Sequence, residues 1–291
     1  MNRLARELWR VVEPYHQLAY RSPEAEDAYG SIGLNRPEYR YFGSRLAALG
    51  AINLRTATAV LYGFAPSYIG KAIPDVWNIA APRDITQARL LGAEKTLQRI
   101  IGTAMSSNEM KHAADISQRI VESTDFAGRP IGAAHADLPW PDSPGMILWH
   151  ACTILREHRG DAHWSATSAE DVDAVECHVL HAADGAMPAD LLQRVSGWDD
   201  KAWLAAVDRL RSRSLINVDG LSLTSAGRDT KLRIERATDR AAAKALVVVG
   251  DDAVLQLASS MRPWVDCVMD AGVIGAWKMR EELWRDIPEG G

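Results

Sequence analysis

Apolar residues recur every three or four positions along most of this chain, the pattern of helices that each bury one face. Leu4, Leu8, Val11 and Val12 predict a first helix over residues 3–12. A second spans 37–49 and stops at Gly50. Asn53 or Thr56 caps a short helix ending near Tyr62, 66–72 follows, and Pro74 opens 74–79. Asp84 caps a helix to Ile101, where Leu90, Leu91, Leu97 and Ile100 keep helical spacing. Ser106 or Ser107 starts another over 108–123. The next stretch breaks the rhythm with Pro130, Pro139, Pro141 and Pro144 and with Gly128 and Gly132. Ile131, Leu138 and Trp140 make it apolar enough to pack across a surface. The expected organisation is an N-terminal helical domain over 1–125, a linker over 126–144 and a second domain over 145–291.

The second domain has its own order. A strong helix covers 145–159, then come 172–183 and, after Gly185, 188–195. Gly197-Trp198 makes a turn, and 199–213 is a third helix. Leu215–Val218 and Leu221–Leu223 alternate like two short strands around Asp219-Gly220, a strong hairpin signal. Thr224 is placed to cap a long helix over 225–245, followed by helices over 251–271 and 276–285. The last carries Trp277 and Trp284.

A helix, a helix-turn-helix, a two-stranded wing and two long helices together resemble MarR-type winged-helix proteins, over about residues 145–270. The residues that carry the likeness are Ala189-Asp190-Leu191-Leu192-Gln193-Arg194-Val195, the run 202–215, and Asp219-Gly220-Leu221-Ser222-Leu223-Thr224-Ser225-Ala226-Gly227-Arg228. The resemblance implies an all-α fold with a small β-wing. It also implies an aromatic ligand between the long helices and the winged-helix lobe, lined here by Trp140–Trp164. Over nearly its whole length the chain also resembles a group of actinobacterial helix-turn-helix proteins. Tyr41-Phe42-Gly43-Ser44-Arg45, Ala72-Ile73-Pro74-Asp75-Val76-Trp77 and the run 155–163 carry that likeness, which implies no particular activity. In the N-terminal half, 39–49 and 53–62 match the two short helices, and 84–101 and 108–123 match the two long ones. MarR-type proteins are usually homodimers, so the chain is expected to be a tandem pseudo-dimer acting as a monomer, or a homodimer.

Charge turns this scaffold away from DNA. The chain has a net charge of −5 and no run of Lys or Arg. The densest cluster, Arg209-Leu210-Arg211-Ser212-Arg213, lies at a helix end, where cations offset the dipole. The recognition-helix start, Asp199-Asp200-Lys201-Ala202-Trp203, sets two carboxylates where phosphates would lie. The wing tip, Val218-Asp219-Gly220, has no cation. Three dispersed cysteines and no membrane-length or signal-like apolar run point to a cytoplasmic bacterial protein with reduced thiols.

The chemical signal is histidine. Five of eight lie between His150 and His181, and His135 is just upstream. His150, Ile154, Glu157, His158 and Asp161 fall along one helical stripe. A carboxylate there tunes an imidazole for acid–base work, so His150, His158 and Glu157 are the catalytic candidates. Trp140, Trp149, Arg156, Asp161, His163 and Trp164 are the ligand-binding candidates, and Arg156 and Arg159 suit an anionic group. The same run reads equally as a polar helix end stopped by Gly160. Cys177 and His181, or His178 and His181, are spaced to share a ligand, but no HExxH, CxxC or paired carboxylate motif completes a metal site, and no phosphate loop, dinucleotide fingerprint or nucleophile elbow appears. No metal or cofactor is therefore expected. The leading expectation is a cofactor-independent acid–base enzyme of specialised metabolism, acting on a hydrophobic or aromatic small molecule. A ligand-responsive transcription regulator and a non-catalytic sequestering or resistance protein are the alternatives.

Overall fold

The computed structural model describes residues 2–274, which fold as an all-α protein. The helix expected over 276–285 lies outside the described residues. The N-terminal half holds α1 (Asn2–Gln17), α2 (Pro23–Ser31), a π-helical turn (Tyr39–Gly43) running into α3 (Ser44–Leu46), α4 (Leu54–Val60), α5 (Pro66–Ile69), α6 (Val76–Ile79), α7 (Pro82–Ile101) and α8 (Asn108–Glu122). α9 (Pro130–Ala136) lies within the proline-rich segment. The second half holds α10 (Pro144–Ala169), α11 (Glu176–Ala183), α12 (Ala189–Ser196), α13 (Asp200–Ser212), α14 (Ser225–Leu246) and α15 (Asp251–Asp270). Among the described residues, no helix is long and apolar enough to cross a membrane.

α10 is the spine. Its 26 residues pack against α1, α8, α9 and α14, so nearly every face is buried. Gly160 was expected to stop this helix, yet the helix runs nine residues further, to Ala169. A glycine ends a helix when it turns left-handed. Here it stays helical because neighbours enclose both flanks, and Asp171, at φ 54°, makes the reversal instead. The main core joins α1, α7, α8, α10, α14 and α15. A second core fills the N-terminal half around Tyr29, Phe42 and Ile69, and a third fills the helix-turn-helix around Val179, Trp203 and Leu210.

Capping rules place several boundaries. Asn53, Ser107, Asp199 and Thr224 each accept a bond from a first-turn N–H, at 2.7–3.1 Å. Ser22 does the same for α2, a helix absent from the apolar pattern. The expected two-stranded wing is not formed as strands among the described residues. Leu215–Leu223 form a hairpin with one antiparallel bridge, Ile216 to Leu223. Asn217 N–H donates to the Ser222 carbonyl at 2.9 Å, and Gly220 turns at φ 91°. One bridge is what remains when Leu215, Ile216 and Leu223 are buried in the core, Leu221 only partly so, and Val218 stays exposed.

Two glycines should answer oppositely to alanine. A Cβ on Gly227 would stand 1.9 Å from the Leu215 carbonyl oxygen, so Gly227→Ala must push the hairpin off α14. The expected loss is about 1–3 kcal/mol. A Cβ on Gly160 meets nothing closer than 3.7 Å. Gly160→Ala should therefore add roughly 0.5–1 kcal/mol by restricting the unfolded chain. Urea unfolding of the two variants checks both signs.

Candidate functional site

One face of α10 meets α1, α3 and α7 in a buried polar cluster. Glu157 is fully buried. It accepts Nε and Nη2 of Arg45, both at 2.9 Å, and Nη1 of Arg156 at 2.9 Å. Arg156 also reaches Glu13 of α1 at 3.2 Å. Burial opposes ionisation of Glu157, but Arg156 and Arg45 hold its carboxyl well below the usual carboxylate range. Arg45 follows the π-helical turn, a local widening that is frequent at functional sites.

Arg89 of α7 is 3% exposed. Its guanidinium lies 4.7 Å from the Trp149 ring centre and 5.7 Å from that of Tyr20. Nη2 donates to Thr153 Oγ1 at 3.3 Å, while Nε has no partner and, among the described residues, no carboxylate pairs with it. Thr153 also meets His16 Nδ1 at 3.2 Å, and Tyr20 meets His16 Nε2 at 3.2 Å. Burial, with the charges of Arg156 and Arg89, pushes His16 well below its ordinary value.

Two further imidazoles border the cluster. His150 bonds to the Leu138 carbonyl, packs edge-on against Trp140 at 5.1 Å, and leaves Nε2 buried without a partner. His135 of α9 donates Nε2–H to the Arg45 carbonyl at 3.3 Å and leaves Nδ1 buried without a partner. Burial first, and then the Arg89 charge, lowers His150 to about 4 and His135 to about 3. Both are neutral near pH 7. Each donates its one N–H to a carbonyl, so each presents a lone pair at the free nitrogen.

The expected single stripe divides among three partners. Trp149, His150, Arg156 and Glu157 join the cluster, and Trp140 closes it over His150. His158 and Asp161 face α9 and the segment before it. His158 Nε2 bonds the Asp125 carbonyl at 3.2 Å, and burial lowers it to about 4. Asp161 accepts the Ile131 and Gly132 N–H groups at 3.0 Å each, capping α9, while burial pushes its carboxyl up to about 7. His163 and Arg159 face α14. His163 meets Thr238 at 3.2 Å, and Arg159 pairs with Asp239 at 2.8 Å. Trp164 lies against Tyr62, with ring centres 5.8 Å apart. So Arg156 and Arg159, expected to bind an anion, are both paired internally, and Glu157 tunes no histidine within hydrogen-bond reach. Sequence reasoning missed Arg89, Arg45, His16 and Thr153. The signal for Arg89 was present: it stands on the buried stripe of Ile85, Ala88, Gly92, Ala93 and Thr96.

The helix-turn-helix surface is a different environment. Asp199 caps α13, Asp200 accepts from Gln193 at 2.7 Å, and Leu204 is 61% exposed. Arg209 is held by Asp173 and Glu176, and Arg213 by Glu176. The turn at Gly197 docks on the N-terminal half. Ala65 N–H donates to the Ser196 carbonyl at 2.9 Å, and the Gly63 carbonyl accepts His178 Nε2 at 2.8 Å and Trp198 Nε1 at 2.9 Å.

With this geometry in view, comparison with known families is informative. A helix-turn-helix family matches residues 5–275, and the chain belongs to it. No curated protein and no solved structure matches the chain.

Glu157→Ala should cost about 3–5 kcal/mol, because it strands the buried Arg45 charge. The carboxyl is depressed in the folded state, so its contribution is complete above the unfolded value of about 4.3 and fades as pH falls below it toward the depressed folded value. Urea titrations of both proteins from pH 7 downward should show a constant gap that narrows only in acid.

Proposed function

We propose that this chain uses its helix-turn-helix scaffold to bind a small hydrophobic or aromatic molecule at the junction of its two halves, and that His150 acts there as a cofactor-independent general base. One observation carries the reading. His150 Nε2, His135 Nδ1 and Arg89 Nε are all buried and all unpartnered, with the Trp140 ring against His150 and the Trp149 and Tyr20 rings against Arg89. Buried polar groups are almost always satisfied, and unsatisfied ones point to function or to an unmade contact. A neutral imidazole with one nitrogen anchored and the other presenting a lone pair is suited to accept a proton.

The scaffold in this reading is MarR-like, with a wing reduced to one bridge. The packing of α1 along α15 and of α10 along α8 supports treating the two halves as paired copies, a pseudo-dimer in one chain. Their division at 126–144 belongs to the same proposal, as do the ligand-lining roles of Trp140, Trp149, Arg156, Asp161, His163 and Trp164. Arg156 acts by holding Glu157, Asp161 by capping α9, and His163 by bonding α14. His158 bonds a loop carbonyl and serves position rather than proton transfer.

Membership of a helix-turn-helix family favours a second reading, a DNA-binding regulator. Against it stand the carboxylates at the start of α13 and the acids that hold Arg209 and Arg213. The two readings separate in solution. The purified protein should bind duplex DNA only in the non-specific range, about 10⁻⁴ to 10⁻⁶ M at physiological salt. A screen of small aromatic compounds should give hits that quench tryptophan fluorescence. His150→Ala should lower any turnover by roughly 10²-fold or more with the fold intact. A nanomolar footprint on its own promoter, or a His150→Ala variant equal to wild type in binding and turnover, would sink the reading.

A further inference from the structure

Among the described residues four arginines are buried: Arg10, Arg45, Arg89 and Arg159. Arg10 pairs with Glu7, Arg45 with Glu157 and Arg159 with Asp239. Arg89 alone among them has no carboxylate. Its surroundings are two ring faces and one neutral hydroxyl. A guanidinium cannot shed its proton to escape burial. The ring faces offset part of the desolvation cost, but they offer no acceptor to the orphaned Nε–H.

Two more of the buried unpartnered atoms have the opposite polarity. His150 Nε2 and His135 Nδ1 each offer a lone pair, and the charge of Arg89 acts on both rings. A complementary ligand must therefore bring a hydrogen for a lone pair and an acceptor for Arg89. A permanently ionised carboxylate lacks the hydrogen. A neutral hydrocarbon lacks both. A weak oxygen acid supplies the hydrogen first and the anion second.

We propose that Arg89 is the oxyanion-binding residue of this site, and that the ligand is a hydrophobic weak oxygen acid, a phenol or an enol, held as its anion. This rests on the reading of the junction as a small-molecule site. In the step, the ligand O–H bond breaks and its electron pair stays on oxygen. The proton is taken up at His150 Nε2, whose burial-lowered basicity passes it on to solvent. The products are a proton released to water and an oxyanion, with Arg89 Nε–H donating to the oxyanion. The guanidinium–oxyanion pair is neutral overall, so the charge of Arg89, unbalanced in the free protein, gains its counter-ion in the complex. Thr153 Oγ1 fixes the guanidinium through Nη2, and Trp149 lies beneath it.

The test uses 4-nitrophenol, whose phenolate absorbs in the visible, beside the uncharged 4-nitroanisole. Both report through quenching of tryptophan fluorescence. Wild-type protein should bind 4-nitrophenol as the coloured phenolate at pH values where free probe is colourless. Arg89→Met should bind it as the neutral phenol, with affinity for the phenolate roughly tenfold or more weaker and affinity for 4-nitroanisole unchanged. Removing an unpaired buried charge should also raise the Tm of the ligand-free variant by roughly 2–4 °C. Wild type binding the colourless phenol, or Arg89→Met keeping the colour shift, overturns the oxyanion role while 4-nitroanisole binding leaves the pocket standing. A lowered Tm or loss of folding in Arg89→Met makes Arg89 a structural cation and overturns the proposal. If neither probe binds at millimolar concentration, the pocket reading falls with it.

Discussion

The carboxylate of Glu157, buried between Arg45 and Arg156, is the interaction on which the arrangement of this protein depends. Three elements meet at that one group: α10 supplies Glu157 and Arg156, α3 supplies Arg45, and α1 joins through Glu13. A buried ion pair gives little net stability, because desolvating the charges offsets most of their attraction. Its effect is on position. A bidentate guanidinium–carboxylate contact tolerates little misalignment, and breaking it strands a charge. The packing of α3 and α1 on α10 is therefore set by a contact that closes in one geometry. Arg45 then offers its own carbonyl to His135, so the same contact also orients α9.

Two polar networks flank α10, and their contrast gives the site its meaning. On the α14 side, the guanidiniums of Arg6 and Arg159 each stand 5.3 Å from the centre of the Trp9 ring. Glu235 and Asp239 pair with both arginines, so charge is balanced within the protein. On the α7 side, Arg89 has the same ring stacking without the acids. The closed network accounts for itself as structure. The open one does not, and it lies where burial keeps His16, His135 and His150 neutral.

Much of the fold was legible because it rests on local rules. Amphipathic spacing marked α1, α7, α8, α14 and α15, and the cap residues Asn53, Ser107, Asp199 and Thr224 fall where their side-chain chemistry places them. The order of α11, α12 and α13 was readable from Gly185 and the Gly197 turn. What escaped depends on partners far away in the chain. Gly160 continues a helix because the α10 residues on either side of it, Glu157, His158, Arg159, Asp161 and Ala162, are buried against other helices. α9 forms in a proline-rich segment because Asp161, 30 positions from Ile131, caps it. At the site, His150, Glu157, Arg156 and Trp149 were found by clustering along one helix. Their division from His158, Asp161 and His163 was not, because helical spacing specifies a direction and not which neighbour stands there. Arg89 is 64 positions from Thr153 and was visible only as a cation on an apolar stripe.

The aromatic side chains show how the buried site and the helix-turn-helix come to share one body. Tyr20, which lies beside Arg89, packs on Tyr41 at 5.1 Å. Tyr41 packs on Phe42 at 5.3 Å, and Phe42 on Tyr68 at 5.2 Å. Tyr68 in turn fills the space beside Gly197, where a Cβ would stand 2.3 Å from its own Cβ. The row runs from the orphaned arginine to the turn before α13. A contiguous row is not by itself coupling, which requires an element with two arrangements. Here the turn is held by bonds on both sides, the Ala65 N–H to the Ser196 carbonyl and the Trp198 indole N–H to the Gly63 carbonyl, and Gly197 leaves no slack against Tyr68. A regulator needs a recognition helix free to change its spacing when a ligand arrives. This docking, with the acids on α13, weighs toward the small-molecule reading proposed above, against the DNA-binding role that membership of a helix-turn-helix family favours.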